Sequence, residues 1–200
     1  MKEQKKVYGV GVYDMVGMSN TPEYIRWSSM LKRCYDTKWI QQYRPTYINA
    51  SVCNQWLIFS NYYAYCKAHY FYGAVLDKDI LVPGNKLYSP TTCVFVPEDV
   101  NLIVVCNPST NRLFGVTKNK NSYTAKITIN KATVNLGKFP TEESAHREWQ
   151  SAKAQHFIAV ATDYKTSYPS TYNVGVYNSL LMKASGIIDE WENNTPTNKY

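Results

Sequence analysis

The sequence lacks the cysteine spacing that a metal or disulfide scaffold needs. Its five cysteines are odd in number, and no two of them form a C-x-x-C pair. Disulfide frameworks use an even set of cysteines, and tetrahedral zinc sites use closely spaced pairs. We therefore expect buried, free thiols in a reducing cytoplasm. These thiols are Cys34, Cys53, Cys66, Cys93 and Cys106.

Long hydrophobic runs are also missing. No apolar stretch approaches the ~20 residues of a membrane span, and the opening Met-Lys-Glu-Gln-Lys-Lys has no apolar core of a signal peptide. We expect a cytoplasmic protein without a membrane partner, in the host cell cytoplasm if a phage encodes it. Gly9 and Gly11 make a short G-x-G without the rest of a phosphate-binding fingerprint, so no nucleotide cofactor is expected.

Positive charge and tyrosine are what the chain has in excess. Its formal net charge is +7 and its pI is about 9.0, which favours an anionic partner such as nucleic acid. Its 18 tyrosines and five tryptophans recur at helical spacing, so most of them are expected in the core. Exposure of many of these rings would instead indicate a protein-interaction surface.

The pattern of apolar residues and turn residues predicts an α+β protein. Thr21-Pro22-Glu23 is typical of a helix start, and this helix is predicted to run to about Tyr35. A second, aromatic helix is predicted over 54–70, and residues 37–52 are expected to be irregular. Short strands are predicted at 7–13, 74–80 and 92–96.

A second module is predicted after the NPSTN segment at 107–111, which has linker composition. Two short turns separate three strand-like runs, and Pro140-Thr141-Glu142-Glu143 then opens a long helix. The strands are predicted at 112–118, 122–129 and 132–138. The modules are predicted over 1–106 and 107–162, and a C-terminal helix and tail over 163–200, where 163–173 is expected to be a linker.

The motif order in this second module resembles a known DNA-binding family. Gly-Val is followed by Y-x-A-x-I and then by L-G-x-F-x-T-x-E-x-A, which is similar to the Apetala-two domain of plant ethylene-response factors. The resemblance covers about 45 residues and implies a three-stranded antiparallel sheet packed on one helix. It is carried by Gly115, Val116, Tyr123, Ala125, Ile127, Leu136, Gly137, Phe139, Thr141, Glu143 and Ala145.

The free face of that sheet is the predicted surface for double-stranded DNA. Lysines suit phosphates, whereas Asn and Thr suit base edges. The face is expected to carry Thr117, Lys118, Asn119, Lys126, Thr128, Thr133, Asn135 and Lys138. The plant family reads DNA with arginines and tryptophans there. Threonines and an asparagine stand at the matched positions of this chain, so its sequence preference is expected to differ.

Residues 76–97 of the first module resemble the HNH, or ββα-metal, nuclease core in a divergent form. Phage and bacterial proteins commonly join such a core to an Apetala-two type domain. The resemblance consists of a strand with D-K-D, a G-N turn, S-P-x-T-C and a second strand. Where the family has its general-base histidine this chain has Lys78, and near the final ligand it has Thr92. Lys78 is expected at the surface.

Asp77 and Asp79 are the predicted metal ligands. Two residues apart on a strand, they are expected to share one face and to hold Mg²⁺ or Mn²⁺ by their carboxylates. Asn85 is expected to shape the loop or to add an oxygen ligand. His69 is a candidate general base if folding brings it near.

The interpretation favoured by the sequence is a homing-endonuclease-like enzyme of phage type that binds duplex DNA and cuts it with a divalent metal. Two other interpretations stay open. One is a DNA-binding regulator with an inactive nuclease core, which the missing histidine favours. The other is an interaction protein that binds a host factor. The oligomeric state is not predicted.

Overall fold

The computed structural model describes residues 6–104 and 113–200, and the fold is α+β as predicted. The chain divides into two compact units, Met1–Val96 and Pro97–Tyr200. The division falls upstream of the predicted one between 106 and 107. Residues 163–200 belong to the second unit instead of forming a separate segment. Cys106 and the predicted linker at 107–111 lie outside the described residues.

Among its described residues, the first unit contains three α-helices, two short 3₁₀ helices (Pro45–Tyr47 and Asn54–Leu57) and four short strands. The helices are α1 (Pro22–Tyr35), α2 (Thr37–Tyr43) and α3 (Phe59–His69). The strands are β1 (Ser51–Val52), β2 (Ala74–Asp77), β3 (Leu87–Tyr88) and β4 (Val94–Pro97), of which the last ends at the first residue of the second unit. β1 pairs in parallel with β3, and β2 pairs with β4.

Helix α1 begins where its capping residues predict. The hydroxyl of Thr21 accepts the backbone N–H of Tyr24 at 3.3 Å, and Pro22 occupies the first helical position. The prediction that 37–52 is irregular is wrong for α2, because Asp36 ends α1 and caps the next helix by accepting the N–H of Trp39 at 3.1 Å. The N-cap signal of Asp36 was present in the sequence.

The core of the first unit is aromatic, as the sequence predicts. Trp27, Trp56, Phe59 and Tyr62 are fully buried. The indole N–H of Trp27 donates to the carbonyl of Trp56 at 2.6 Å, which joins α1 to the turn before α3. Four aromatic residues of the described ranges are exposed, from 38% for Trp191 to 99% for Tyr72, and the other two are Tyr8 and Tyr43. Three of the 18 tyrosines are buried, and seven more are partly buried against the core of the first unit, so many tyrosines line the edge of a core instead of filling its centre.

The predicted strand at 7–13 is wrong. Residues 7–11 form a tight turn in which the N–H of Val7 donates to the carbonyl of Gly11 at 2.9 Å, and only isolated bridges follow. A Cβ built on Gly11 would lie 2.4 Å from a methyl of Leu31 and 2.9 Å from the Trp27 ring. Gly11 is therefore a packing glycine that lets this turn approach α1.

The second unit is a three-stranded sheet with helices. Its elements are α4 (Glu98–Val104), β5 (Val116–Lys118), β6 (Tyr123–Ile129), β7 (Ala132–Phe139), α5 (Glu142–Ser167) and α6 (Val174–Glu192). The three strands are antiparallel in the order β5-β6-β7, and the sheet packs against α5. None of the helices in the described ranges combines the length and apolar character needed to cross a membrane.

A β-bulge in β7 sets which side chains share a face of the sheet. Ala125 pairs with Gly137, but the next residue, Lys126, pairs with Asn135, so Leu136 is the extra residue. Thr124 pairs with Lys138, and alternation puts Thr124 and Lys126 on one face. Asn135 and Lys138 therefore share this face although three positions separate them, which a regular strand forbids.

Helix α5 is longer than predicted. The Thr141 hydroxyl accepts the N–H of Ser144 at 3.1 Å, and the Ser144 hydroxyl closes a capping box on Thr141. The predicted linker at 163–173 is helical up to Ser167. Two buried residues, Ala161 and Tyr164, continue the apolar stripe that packs against α6 and so extend the helix.

The C-terminal tail after α6 is fastened to α5 by buried polar groups. His146 is 2% exposed; its Nδ1 lies 2.9 Å from the carbonyl of Phe114, and its Nε2 accepts the N–H of Thr197 at 3.0 Å. Gln150 donates to the carbonyl of Thr195 and to the Thr197 hydroxyl. This set of bonds requires a neutral imidazole, because Nε2 acts as an acceptor.

Acid is expected to loosen this tail. Burial lowers the pKa of His146, so the folded state binds fewer protons than the unfolded state below about pH 6.5. The stabilisation is therefore complete above that pH and is lost as the pH falls, with a slope of up to about 1.4 kcal/mol per pH unit. Burial also lowers the pKa of His156, which adds in the same direction.

The free energy of unfolding, measured with urea at several pH values from about 8 to about 5.5, checks this expectation. Both limits are about one unit or more from the ordinary histidine pKa. His146→Asn should flatten the slope by roughly half and leave the part due to His156. His69→Asn replaces an exposed histidine and is the matched control. If His146→Asn leaves the pH dependence of the unfolding free energy unchanged, the hydrogen bond between His146 and Thr197 does not make the stability depend on pH.

Candidate nucleic-acid interface and predicted metal site

The outer face of the sheet, away from α5, carries polar side chains. By register, the residues on this face are Thr117, Thr124, Lys126, Thr128, Thr133, Asn135 and Lys138. All of them are exposed except Thr124, which is covered by its neighbour Asn119. Six of the eight predicted DNA-contacting residues therefore lie together on one exposed face.

Lys118 and Asn119 are placed differently from the prediction. Lys118 pairs with Tyr123, so it lies on the helix-facing side at the sheet edge, with its Nζ 6.0 Å from the Tyr123 ring centroid. Asn119 lies in the turn after β5, where its amide donates to the Thr124 hydroxyl at 2.7 Å. Strand alternation excludes Lys118 from the face that Thr117 occupies.

One polar group of Asn135 is already used in a hydrogen bond within its own strand. Its Oδ1 accepts the N–H of Gly137 at 3.0 Å, which stabilises the bulge. Only its amide N–H₂ group is then suited to a base acceptor. A bidentate contact of the Asn135 amide with adenine would require this bond to open.

The charge of the sheet segment has one sign. Residues 113–141 contain lysines at 118, 120, 126, 131 and 138 and no aspartate or glutamate. Lys131 forms an ion pair with Glu98 of α4 at 3.1 Å, so the strand lysines Lys126 and Lys138 are the main outward charges. A sheet face of threonine, asparagine and lysine without carboxylates suits an anionic surface.

Gly115 lets the sheet sit directly on α5. Its φ is +72°, which favours glycine, and a Cβ there would lie 2.0 Å from Cδ1 of Trp149. The ring of Trp149 stacks on Phe114 with centroids 5.4 Å apart. The glycine of the Gly-Val motif is thus required by backbone conformation and by packing, and it allows the start of the sheet to pack closely against Trp149 of α5.

Asp77, the first predicted metal ligand, is engaged by its own chain. Its Oδ1 accepts the N–H groups of Asp79 at 2.7 Å and of Ile80 at 2.6 Å, which ends β2 in a turn. Burial outweighs these two bonds and raises the pKa of the Asp77 carboxyl. The strand ends at Asp77, so the argument that Asp77 and Asp79 share a strand face is wrong.

Asp79 and Asn85, the other predicted ligands, surround a lysine. Lys78 is 8% exposed, and its ammonium lies 2.6 Å from the carboxylate of Asp79 and 2.8 Å from the carbonyl of Asn85. The Asn85 amide donates to the carbonyls of Lys78 and Leu87. The prediction of a surface lysine is therefore wrong. The buried ammonium of Lys78 lies between Asp79 and Asn85, which were expected to bind a metal.

The remaining positions of the HNH resemblance also have local partners. His69 is exposed at the end of α3, with its Nδ1 2.9 Å from the carbonyl of Tyr65 and its ring stacked on Tyr65. The Thr92 hydroxyl donates to the carbonyl of Leu87 at 2.7 Å. Among residues 6–104 and 113–200, no three His, Cys, Asp or Glu side chains are grouped to hold a metal.

The four described cysteines are free, as the sequence predicts: Cys34, Cys53, Cys66 and Cys93. Burial raises the pKa of the Cys34 thiol to about 12 and that of Cys93 to about 11. The thiols of Cys34 and Cys93 are therefore protonated at neutral pH and inert as nucleophiles.

A cavity of about 590 Å³ in the second unit was not found by sequence reasoning. It lies between α4, β6 and α5, with Trp149, Tyr200, Lys153 and His156 in its lining. Its residues come from distant parts of the chain, so spacing could not reveal it. The unusual positions of a lysine and a histidine on the apolar stripe of α5 were the available signal.

Comparison with protein-family models, with curated proteins and with solved structures gives no match for the chain. The resemblances to the Apetala-two domain and to the HNH core therefore stay predictions that depend on the residues quoted for them.

Proposed function

We propose that this protein binds double-stranded DNA through the outer face of its β5-β6-β7 sheet. The observation that carries the proposal is the joint exposure of six predicted contact residues on one face that has lysines and no carboxylates. A sheet of this kind can enter the major groove, where lysines contact phosphates and threonines and Asn135 contact base edges.

The rigid support behind this face favours the proposal. Contact with DNA requires side chains held in fixed positions, and sites on strands are held more firmly than sites on loops. The sheet is seated on α5 through the Gly115–Trp149 contact. The bulge places Asn135 and Lys138 on the same face as Lys126.

DNA cleavage stays a prediction of the sequence. A metal at Asp77 and Asp79 would have to replace two backbone hydrogen bonds and the Lys78 ammonium. These contacts favour the regulator with an inactive core over the nuclease. Most aromatic rings are buried or partly buried, so the host-factor interpretation gains no support from an aromatic surface.

A titration of labelled duplex DNA followed by fluorescence anisotropy tests the proposal. We expect binding near micromolar Kd at about 50 mM salt and a log–log salt slope of about −0.9 per phosphate contact, roughly −2 to −4 in total. Absence of binding at low salt would refute the proposal. Plasmid incubated with the same protein and Mg²⁺, Mn²⁺ or a chelator reports cleavage: supercoiled DNA is expected to stay intact, and metal-dependent nicking would restore the nuclease interpretation.

A further inference from the structure

The cavity between α4, β6 and α5 has the size and lining of a small-molecule site. Its volume of about 590 Å³ falls within the usual range for ligand pockets, about 300–1,000 Å³. Its walls include the rings of Phe114, Trp149 and Tyr200, which contact one another with centroids 5.4–6.1 Å apart. Flat aromatic walls suit a flat aromatic ligand.

One lining residue, His156, has a buried polar atom that lacks a partner within the described ranges. The Nδ1 of His156 is buried and has no hydrogen-bond partner among the described residues. A buried polar nitrogen without a partner is costly, of the order of 1–3 kcal/mol. A ligand that offers a hydrogen-bonding group at this atom would remove that cost, which indicates where the polar end of a ligand would lie.

The charge beside His156 is positive. Lys153 is 6% exposed and lines the same cavity; its ammonium donates to the carbonyl of Ile103 at 3.0 Å and lies 4.7 Å from the Tyr200 ring centroid. Burial lowers the pKa of His156, and the nearby ammonium lowers it further. An anion in this place would therefore be attracted by the lysine and accept a hydrogen bond from the imidazole.

The acidic residues of the cavity lining, Glu98 and Asp99, lie at the protein surface on α4. Glu98 is 58% exposed and is paired with Lys131, and Asp99 is also exposed on α4. The deep part of the cavity is thus cationic and aromatic, whereas the carboxylates are at the surface. This arrangement favours a ligand whose negative group lies inside the cavity, near the cationic residue and away from the surface carboxylates.

We propose that this cavity binds a small aromatic carboxylate, with the ring among Phe114, Trp149 and Tyr200 and the carboxylate at His156 and Lys153. The proposal does not rest on DNA binding, because none of its five carrying residues is on the outer face of the sheet, although Lys126 and Thr128 of that face also border the cavity.

Calorimetric titration of the whole chain with 1-naphthoate tests it, with 1-naphthalenemethanol as the uncharged probe. We expect a Kd of about 1 mM or tighter for the acid, and binding about tenfold weaker for the alcohol. His156→Leu should weaken naphthoate binding about tenfold or more, whereas His69→Leu, at an exposed histidine, should not change it.

Histidine NMR provides a readout that does not depend on a variant. The chain has three histidines, so their ring signals are readily assigned. Naphthoate should shift the ring resonances of His156 and leave those of His69 unchanged. No binding up to about 5 mM, equal binding of acid and alcohol, or an unshifted His156 would each overturn the proposal.

Discussion

Replacing Lys126 and Lys138 together with alanine is expected to weaken duplex binding about ten- to thirtyfold at moderate salt. Both lysines are exposed on the outer face of the sheet and are diagonal neighbours across β6 and β7. If each contacts one phosphate, the log–log salt slope should become shallower by about 1.8. Because phosphate contacts carry no sequence information, the loss should be even across DNA sequences.

The matched control removes the same charge from elsewhere. Lys38 in α2 and Lys165 in α5 are both exposed and both outside the sheet. Their double alanine variant should keep the wild-type slope and lose affinity about twofold at most, through net charge alone. Equal losses in the two double variants would show that DNA senses only overall charge and that the sheet face is not the docking surface.

Gly115→Ala is expected to unfold the second unit or to leave it barely stable. The added methyl would lie 2.0 Å from Trp149 at a φ of +72°. The left-handed backbone costs about 1–2 kcal/mol and the overlap about 1–3 kcal/mol or more. Together, about 2–5 kcal/mol is a large share of the stability of a domain. Thermal unfolding followed by tryptophan fluorescence should show an early transition.

Gly17→Ala separates the two causes. Gly17 has a φ of +83°, but a Cβ there meets nothing within 4 Å. It therefore carries the backbone cost alone, about 1–2 kcal/mol. If Gly115→Ala is no more destabilising than Gly17→Ala, the contact of Trp149 with the sheet relaxes without cost, and Gly115 does not set the sheet position.

Features with local causes could be predicted from the sequence. The Thr21 and Thr141 caps, the two hairpins and the apolar stripe of α5 each depend on residues close together in the chain, and all are present. Composition and hairpin chemistry thus suffice for the α+β class and for most of the outer face. The position of Lys118 was missed because its face depends on the register with Tyr123.

The site around Asp77 was predicted less well for a different reason. The spacing of two carboxylates says where they lie along a strand, but it does not say where the strand ends. The strand ends at Asp77 because that carboxylate binds the next two backbone N–H groups. The burial of Lys78 depends on contacts with Asp79 and Asn85 in a loop, which no periodicity encodes.

The extra residue in β7 changes which positions of the strand face outward. On the β7 side of Leu136 that includes Lys138, outward side chains fall at even positions, and on the side that includes Asn135 they fall at odd positions. Deleting Leu136 would remove the bulge and leave the pairs Ala125–Gly137 and Lys126–Asn135 as consecutive pairs of a regular strand, so Asn135 and Lys138 would still face outward. A one-residue deletion elsewhere in the strand would instead reverse the facing of part of it, so the bulge is the position of β7 where the loss of a residue is expected to be tolerated.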